Sequence, residues 1–256
     1  MPVFRSRKAL MNPELRRRGI YLLPNLFTTA ALFAGFYAIV QAMNGQFADA
    51  AVAIFVAMVM DGLDGRVARL TRTQSAFGAE YDSLSDMVSF GAAPALVVYE
   101  WALKGMGKLG WVAAFIYCVG AALRLARFNT NIEVIDKRYF QGLPSPAAAA
   151  LVAGLVWVLI DNHWSGEEAR WYACILTVFA GVTMVSTVRY YSGKDINLRR
   201  SVPFVAVVAI ALAFALVSSY PAGVLFALFL GYALSGYVMA ASGLLSKRNK
   251  GIARPE

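Results

Sequence analysis

Apolar stretches close to the length of a membrane-crossing helix recur along this 256-residue chain, separated by short polar breaks. A helix needs about 20 apolar residues to cross the hydrocarbon core, and lipid offers no partner to an unpaired backbone group. The pattern therefore predicts an all-α fold, a polytopic transmembrane helix bundle. Its eight spans fall near residues 22–43, 47–68, 78–100, 109–128, 144–161, 170–189, 201–219 and 222–244. Composition agrees: 59% of the residues are apolar, 15% are charged and the mean hydropathy is +0.57. Soluble domains run near 45–50% apolar and about 25% charged. Small residues are frequent within the spans, as close helix packing in lipid requires.

The net charge of +9 is a matter of topology. A nucleic-acid binder presents a basic face on a soluble module, whereas here Lys and Arg gather at helix ends, so nucleic acid is excluded as a partner. With the N-terminus inside, all but Lys104, Lys108 and Arg170 of the 24 basic residues fall on the cytoplasmic side, as the positive-inside rule demands. The chain divides into a cytoplasmic N-terminal segment (1–21), a transmembrane domain (22–246) and a cytoplasmic tail (247–256). Residues 12–19, with Leu15 beside Arg16, Arg17 and Arg18, are expected to form a short interfacial amphipathic helix. The basic N-terminus lacks the small-residue cleavage site of a secretory signal. Cys118 and Cys174 lie on separate spans and read as packing thiols. His163, the one histidine, lies in a loop, which argues against a histidine-based metal site.

The chemistry is concentrated where the second and third spans near the cytoplasm. The run Asp61-Gly62-Leu63-Asp64-Gly65-Arg66-Val67-Ala68-Arg69 is followed by Gly78, Asp82 and Asp86. Asp61 and Asp64 share a helix face, as do Asp82 and Asp86. A tight turn at 71–75 would make the two helices antiparallel neighbours and bring four carboxylates together. Each intramembrane charge costs about 2.5–3.5 kcal/mol even on permissive scales, and like charges add repulsion. Cations must offset this. Arg69 is near enough in sequence to neutralise one carboxylate. An all-oxygen set points to hard divalent ions, Mg²⁺ or Mn²⁺, two per site as in phosphoryl displacements. Gly65, Ala68 and Gly78 border the carboxylates and let a bulky ligand approach the backbone.

The pattern Asp-x-x-Asp-Gly-x-x-Ala-Arg, eight residues, Gly-x-x-x-Asp-x-x-x-Asp resembles the signature of the CDP-alcohol phosphotransferase family, with every fixed position matched. The resemblance implies a helical membrane enzyme, usually dimeric, that moves a phosphate-linked group from a CDP-linked donor to an alcohol and releases CMP. It implies that Asp61, Asp64 and Asp82 ligate metal and that Asp86 is the general base and a further ligand. It also implies that Gly65, Ala68, Arg69 and Gly78 border the CDP group. Asn25, in Pro24-Asn25-Leu26-Phe27-Thr28, resembles a family segment near the nucleotide. The stretches Ala122–Asn129 and Phe140–Pro146 resemble the membrane-embedded phosphatidylserine synthase branch, which implies CDP-diacylglycerol as donor, L-serine as acceptor and a bacterial cytoplasmic membrane as location.

Arg124 and Arg127 lie one helical turn apart at the depth of the carboxylates. Two guanidiniums there are able to hold an acceptor carboxylate or a phosphate bidentately, or simply to anchor the span at the cytoplasmic face. Gly142, Pro144 and Pro146 read as a helix start with a fixed turn. Glycerol phosphate, inositol phosphate and choline remain alternative acceptors, and an ether lipid an alternative donor. An ion-coupled transporter is the alternative from another class, since intramembrane carboxylates also mark ion paths. Transporters place such groups near the midplane within repeated halves, and no repeat is visible here.

Overall fold

A computed structural model describes residues 13–130, 139–191 and 204–252. Among the described residues each of the eight expected passes is mainly helical. They are α1 (Pro13–Met43), α2 (Phe47–Thr71), a run from α3 (Ala76–Asp86) through α4 (Ala93–Val98), then α5 (Lys108–Thr130), α6 (Ser145–Asp161), α7 (Gly166–Val185), α8 (Phe204–Ser219) and α9 (Pro221–Ile252). Leu23–Met43, Lys108–Thr130 and Pro221–Ser242 are each long and apolar enough to cross a membrane, and Ser145–Asp161 and Val207–Ser219 are shorter apolar helices. Large apolar side chains such as Phe33, Phe36, Trp111, Phe115, Ile175 and Phe214 point outward, where lipid tails rather than water suit them.

Helix α6 is the axis of the bundle. Its alanines 147–150 are buried, as are the residues that follow to Val156. Lipid gives no hydrophobic drive for helices to associate, so thin, small-residue surfaces that permit close contact hold the bundle together. The crossing of α5 and α7 shows the same device. A side chain at Gly120 would run into the carbonyl of Gly181, and one at Gly181 into the backbone of Tyr117.

The third pass is irregular for a reason written in its sequence. Pro94 has no N–H and leaves the carbonyl of Phe90 without its usual donor four residues on. The chain relaxes into a π-helical stretch at Met87–Ala92 and a second at Tyr99–Leu103. The buried hydroxyl of Tyr117 on α5 donates to that Phe90 oxygen at 2.9 Å. Ser85 and Ser89 stitch the pass to α1, donating to the carbonyls of Thr28 (3.1 Å) and Ala31 (3.0 Å).

Three features differ from expectation. Residues 13–19 are the first turns of α1 rather than a separate interfacial helix, because nothing between Gly19 and Leu22 stops a helix and Pro24 is carried inside it. Asn12 lies outside the described residues. Helix α9 runs on to Ile252, past the expected start of the tail at 247. A small antiparallel pair, β1 (Tyr139–Gln141) and β2 (Arg189–Tyr191), joins the start of α6 to the end of α7. Strands of three residues are too short to leave a period-2 pattern. Gly142 follows β1 with a φ of 76°, and a side chain there would meet the carbonyls of Met184 and Ser186, so the turn requires glycine. The two cysteines are free thiols. The basic residues Arg5, Arg7, Lys8, Lys137, Arg138, Lys194, Arg199, Arg200 and Arg254 lie outside the described residues.

Candidate active site

The turn between α2 and α3 is built by local chemistry. Helix α2 ends at Thr71, with Arg72 in the left-handed region at φ 53°. The hydroxyls of Thr71 and Thr73 lie 2.7 Å apart. Ser75 caps α3 by accepting from the Gly78 N–H at 3.0 Å, which satisfies one of the helix's orphan donors. This hairpin sets the two carboxylate pairs against each other. Ligand-capable oxygens of Asp61, Asp64 and Asp82 lie within 4.8 Å of one another. Asp86 is within hydrogen-bond reach of Asp61, and Asp82 within reach of Asp64. The convergence of four carboxylates expected from helical spacing is what the fold produces.

Helix α1 supplies a partner that the sequence reading missed. Buried Thr28 donates its hydroxyl to Asp64 Oδ2 at 2.7 Å and lies 3.3 Å from the Pro24 carbonyl. Its signal was available one helical turn after Asn25, but motif reasoning assigns no role to a threonine on another span. Tyr81 and Thr29 add a second tie between the hairpin and α1 at 2.9 Å. Asn129, at the end of α5, donates to Ser83 at 3.0 Å.

The positive charge is not where the sequence suggested. Arg69 turns back on its own helix and donates from Nε to the Gly65 carbonyl at 2.8 Å. Among the described residues no lysine or arginine forms an ion pair with any of the four aspartates. Asp82 Oδ1 is buried without any partner. Clustered carboxylates, an orphaned buried oxygen and, among the described residues, no ion-paired cation together make a donor set that fits a hard divalent ion.

One face of the cluster opens into a cavity of about 520 Å³. Asn25, Asp64, Gly65, Ala68, Arg69, Gly78 and Asp82 line it together, with Thr28, Ser75 and Phe128 besides. A Cβ on Gly65 would have only Arg69, 3.9 Å away, as a neighbour, so that wall is open to a ligand. A Cβ on Gly78 would press to 3.1 Å from Ser75 Oγ and 3.5 Å from Asn25 Oδ1. Asp61 and Asp86 do not line this cavity.

The two arginines part company. Arg124 donates to Ser145 Oγ, at the first turn of α6, while its Nε is sealed from solvent with no acceptor. Arg127 donates to the carbonyls of Val185 (2.8 Å) and Ser186 (3.4 Å), where α7 ends. That engages the orphan acceptors and negative dipole of a helix C-terminus.

The family model of CDP-alcohol phosphatidyltransferases matches residues 21–183. A CDP-diacylglycerol–serine O-phosphatidyltransferase of Helicobacter pylori is 39% identical over 197 residues, covering 76% of this chain and 82% of that protein. The enzyme so named in Mycobacterium leprae is 33% identical over 216 residues, covering 81% and 72%. That of Methanocaldococcus jannaschii is 40% identical over 137 residues, covering 54% and 61%.

Proposed function

Because this chain belongs to the CDP-alcohol phosphatidyltransferase family, we propose that it transfers the phosphatidyl group of CDP-diacylglycerol to the hydroxyl of L-serine, giving phosphatidylserine and CMP. The observation that carries this reading is an intramembrane aspartate cluster that opens, through Asp64 and Asp82, onto a cavity walled by Asn25, Gly65, Ala68, Arg69 and Gly78. The protein is an integral membrane enzyme. Its transmembrane domain (22–246) lies in a bacterial cytoplasmic membrane, with the active site, the N-terminal segment (1–21) and the tail (247–256) on the cytoplasmic side. It works as a homodimer.

The CDP group rests in the cavity, against Asn25, Gly65, Ala68, Arg69 and Gly78. Asp61, Asp64, Asp82 and Asp86 would hold two ions of Mg²⁺ or Mn²⁺. Bound there, such ions supply Lewis acidity and positive charge to the donor's pyrophosphate. Asp86, which does not line the cavity, accepts the proton of the serine hydroxyl as that oxygen forms a bond to the phosphorus carrying diacylglycerol. The bond from this phosphorus to the bridging oxygen breaks, and CMP departs with the electron pair. The cradle of small residues holds the donor in line, and positioning contributes much of the acceleration. Arg124 and Arg127 are the candidates for holding the acceptor carboxylate or a phosphate.

The test is CMP release by the purified protein from CDP-diacylglycerol with serine, glycerol phosphate, inositol phosphate or choline as acceptor. Serine is expected to support turnover, EDTA to abolish it, and Mg²⁺ or Mn²⁺ to restore it. Preference for another alcohol reassigns the acceptor. Full turnover after rigorous chelation overturns the metal reading. Absence of CMP release with every alcohol removes the enzyme reading and returns the carboxylates to ion transport.

A further inference from the structure

The donor cavity has one lining residue that neither the carboxylates nor the small residues explain. Helices α1, α2 and α3, with the turn between the last two, supply the rest of the lining, and α5 supplies Phe128 alone. Among the described residues it is also the one aromatic side chain of the cavity. Outward-pointing apolar side chains elsewhere on the bundle meet lipid, but this ring shares a chamber with Asp64, Asp82, Arg69 and Gln74. Phe128 is 52% exposed, and no other aromatic ring among the described residues packs on it. About half of it is therefore open to a ligand.

The chain on either side of Phe128 is tied down. Arg127 donates to the carbonyls of Val185 and Ser186, where α7 ends. Asn129 donates to Ser83 on α3 at 3.0 Å. The Ser83 hydroxyl in turn donates at 3.1 Å to the carbonyl of Ala79, another lining residue. Thr130 folds back on the carbonyls of Ala126 and Arg127. Helix ends commonly fray. This one is tethered to two other helices, and Phe128 sits between the tethers. A ring so placed, with only two side-chain torsions, loses little freedom when a ligand settles on it.

The donor brings one flat group. Its pyrophosphate belongs with the carboxylates and the ions they would hold, and its acyl chains belong with lipid. The cytosine ring is left for an aromatic surface. Stacking of a base on such a ring needs no hydrogen bond, and it takes the open apolar face out of water. We infer that Phe128 is the stacking platform for the cytosine ring of the CDP-linked donor, and that it fixes the nucleotide end of the substrate while the carboxylates hold the phosphates. This rests on the donor assigned under the proposed function and is independent of which alcohol accepts.

The experiment compares the full-length purified protein with its Phe128→Ala, Phe128→Leu and Phe128→Tyr variants. The readouts are the inhibition constant of CMP against CDP-diacylglycerol and the kinetic constants for both substrates. Phe128→Ala is expected to raise the CMP inhibition constant and KM for CDP-diacylglycerol together, each about tenfold, within the range of base stacking. The kcat at saturating donor and KM for serine should change by less than about twofold, because the lost contact is to the nucleotide alone. Phe128→Leu keeps apolar bulk without a flat ring and should resemble Phe128→Ala. Phe128→Tyr keeps the ring and should bind CMP as the wild type does. An unchanged CMP inhibition constant in Phe128→Ala overturns the inference, and if KM for the donor rises alone, the ring touches the lipid part instead. Wild-type CMP binding in Phe128→Leu also overturns it, since any apolar wall would then serve. A wild type that neither releases CMP nor is inhibited by it overturns the donor reading. A wild type inhibited by CMP, with an indifferent Phe128→Ala, overturns this inference alone.

Discussion

The carboxylates Asp64 and Asp82 come from one hairpin, α2 and α3, while the wall that carries Arg124 is gathered from α5 and α6. Their electrostatic deficits are opposite. The hairpin holds four carboxylates with no cation paired to them among the described residues. The other wall holds a guanidinium with a buried donor that lacks an acceptor. They meet at Asp86, which pairs with Asp61 and lies close enough to act on Arg124. Deficits of opposite sign side by side are what a site needs when its ligands bring both kinds of charge. Under the proposed function, metal ions would satisfy the first wall and an anionic acceptor the second. Leaving both unsatisfied in the protein itself is unfavourable for folding, since buried charges are costly without partners.

If that division holds, the largest effect should come from the residue at the junction. Asp86→Asn keeps the shape and the hydrogen-bonding reach but cannot take a proton. General-base catalysis is typically worth about 10²–10⁴-fold, so kcat should fall within that range. Binding of CDP-diacylglycerol, measured by displacement of a labelled CDP analogue, should persist because Asp86 does not line the donor cavity. Near-normal turnover in this variant would move the base elsewhere.

The same division governs what the sequence revealed. The donor wall was legible because its parts lie within one stretch from Asp61 to Asp86 and repeat at helical spacing, so local geometry alone predicts their convergence. Even the small residues beside them ended on the cavity. The acceptor wall was only half legible. Arg124 and Arg127 look equivalent one turn apart, yet one faces Ser145 and the other the end of α7. That choice depends on how α6 and α7 cross α5, and helix crossings are set by packing far apart in sequence. Thr28 was missed for the same reason. The π-helical stretch beside Pro94 was foreseeable as a distortion, but its rescue by Tyr117 was not, because that partner is on another helix.

The two arginines offer a sharper test of the acceptor wall. Lysine keeps the charge and loses the planar fork. Arg124→Lys is expected to reduce kcat/KM for serine by roughly 10- to 150-fold, corresponding to about 1.5–3 kcal/mol for a charge-assisted hydrogen bond. Arg127→Lys should cost less in serine use, because the Arg127 guanidinium already donates to two carbonyls at the end of α7. Its loss should show in thermal stability instead. If the larger kinetic effect falls on Arg127, the acceptor is read from the α7 side and the wall described here is misassigned. If both variants lose donor binding while the preference for serine over ethanolamine is intact, these arginines hold donor phosphates.

The smallest expected effect probes the donor wall through the residue that supports it. Thr28 is 3% exposed and its hydroxyl donates to Asp64 Oδ2. Thr28→Val preserves the volume and removes that donor. The backbone carbonyl of Thr28 still receives Ser85, so the seam between α1 and α3 should stay closed and the protein should remain folded. What changes is the orientation of Asp64. Groups that orient a metal ligand are typically worth about 10- to 100-fold in affinity. Asp64 has neighbours in Asp82 and the Gly65 backbone that limit its freedom, so the lower end, about tenfold, is expected in the concentration of Mg²⁺ or Mn²⁺ giving half-maximal rate. At saturating metal kcat should recover, because Thr28 donates to a ligand and takes no part in the proton transfer. A rate deficit that saturating metal fails to repair would mean that Thr28 acts on the donor directly, from its place in the cavity lining. An unaltered metal requirement would mean that Asp64 is held in place by the hairpin alone.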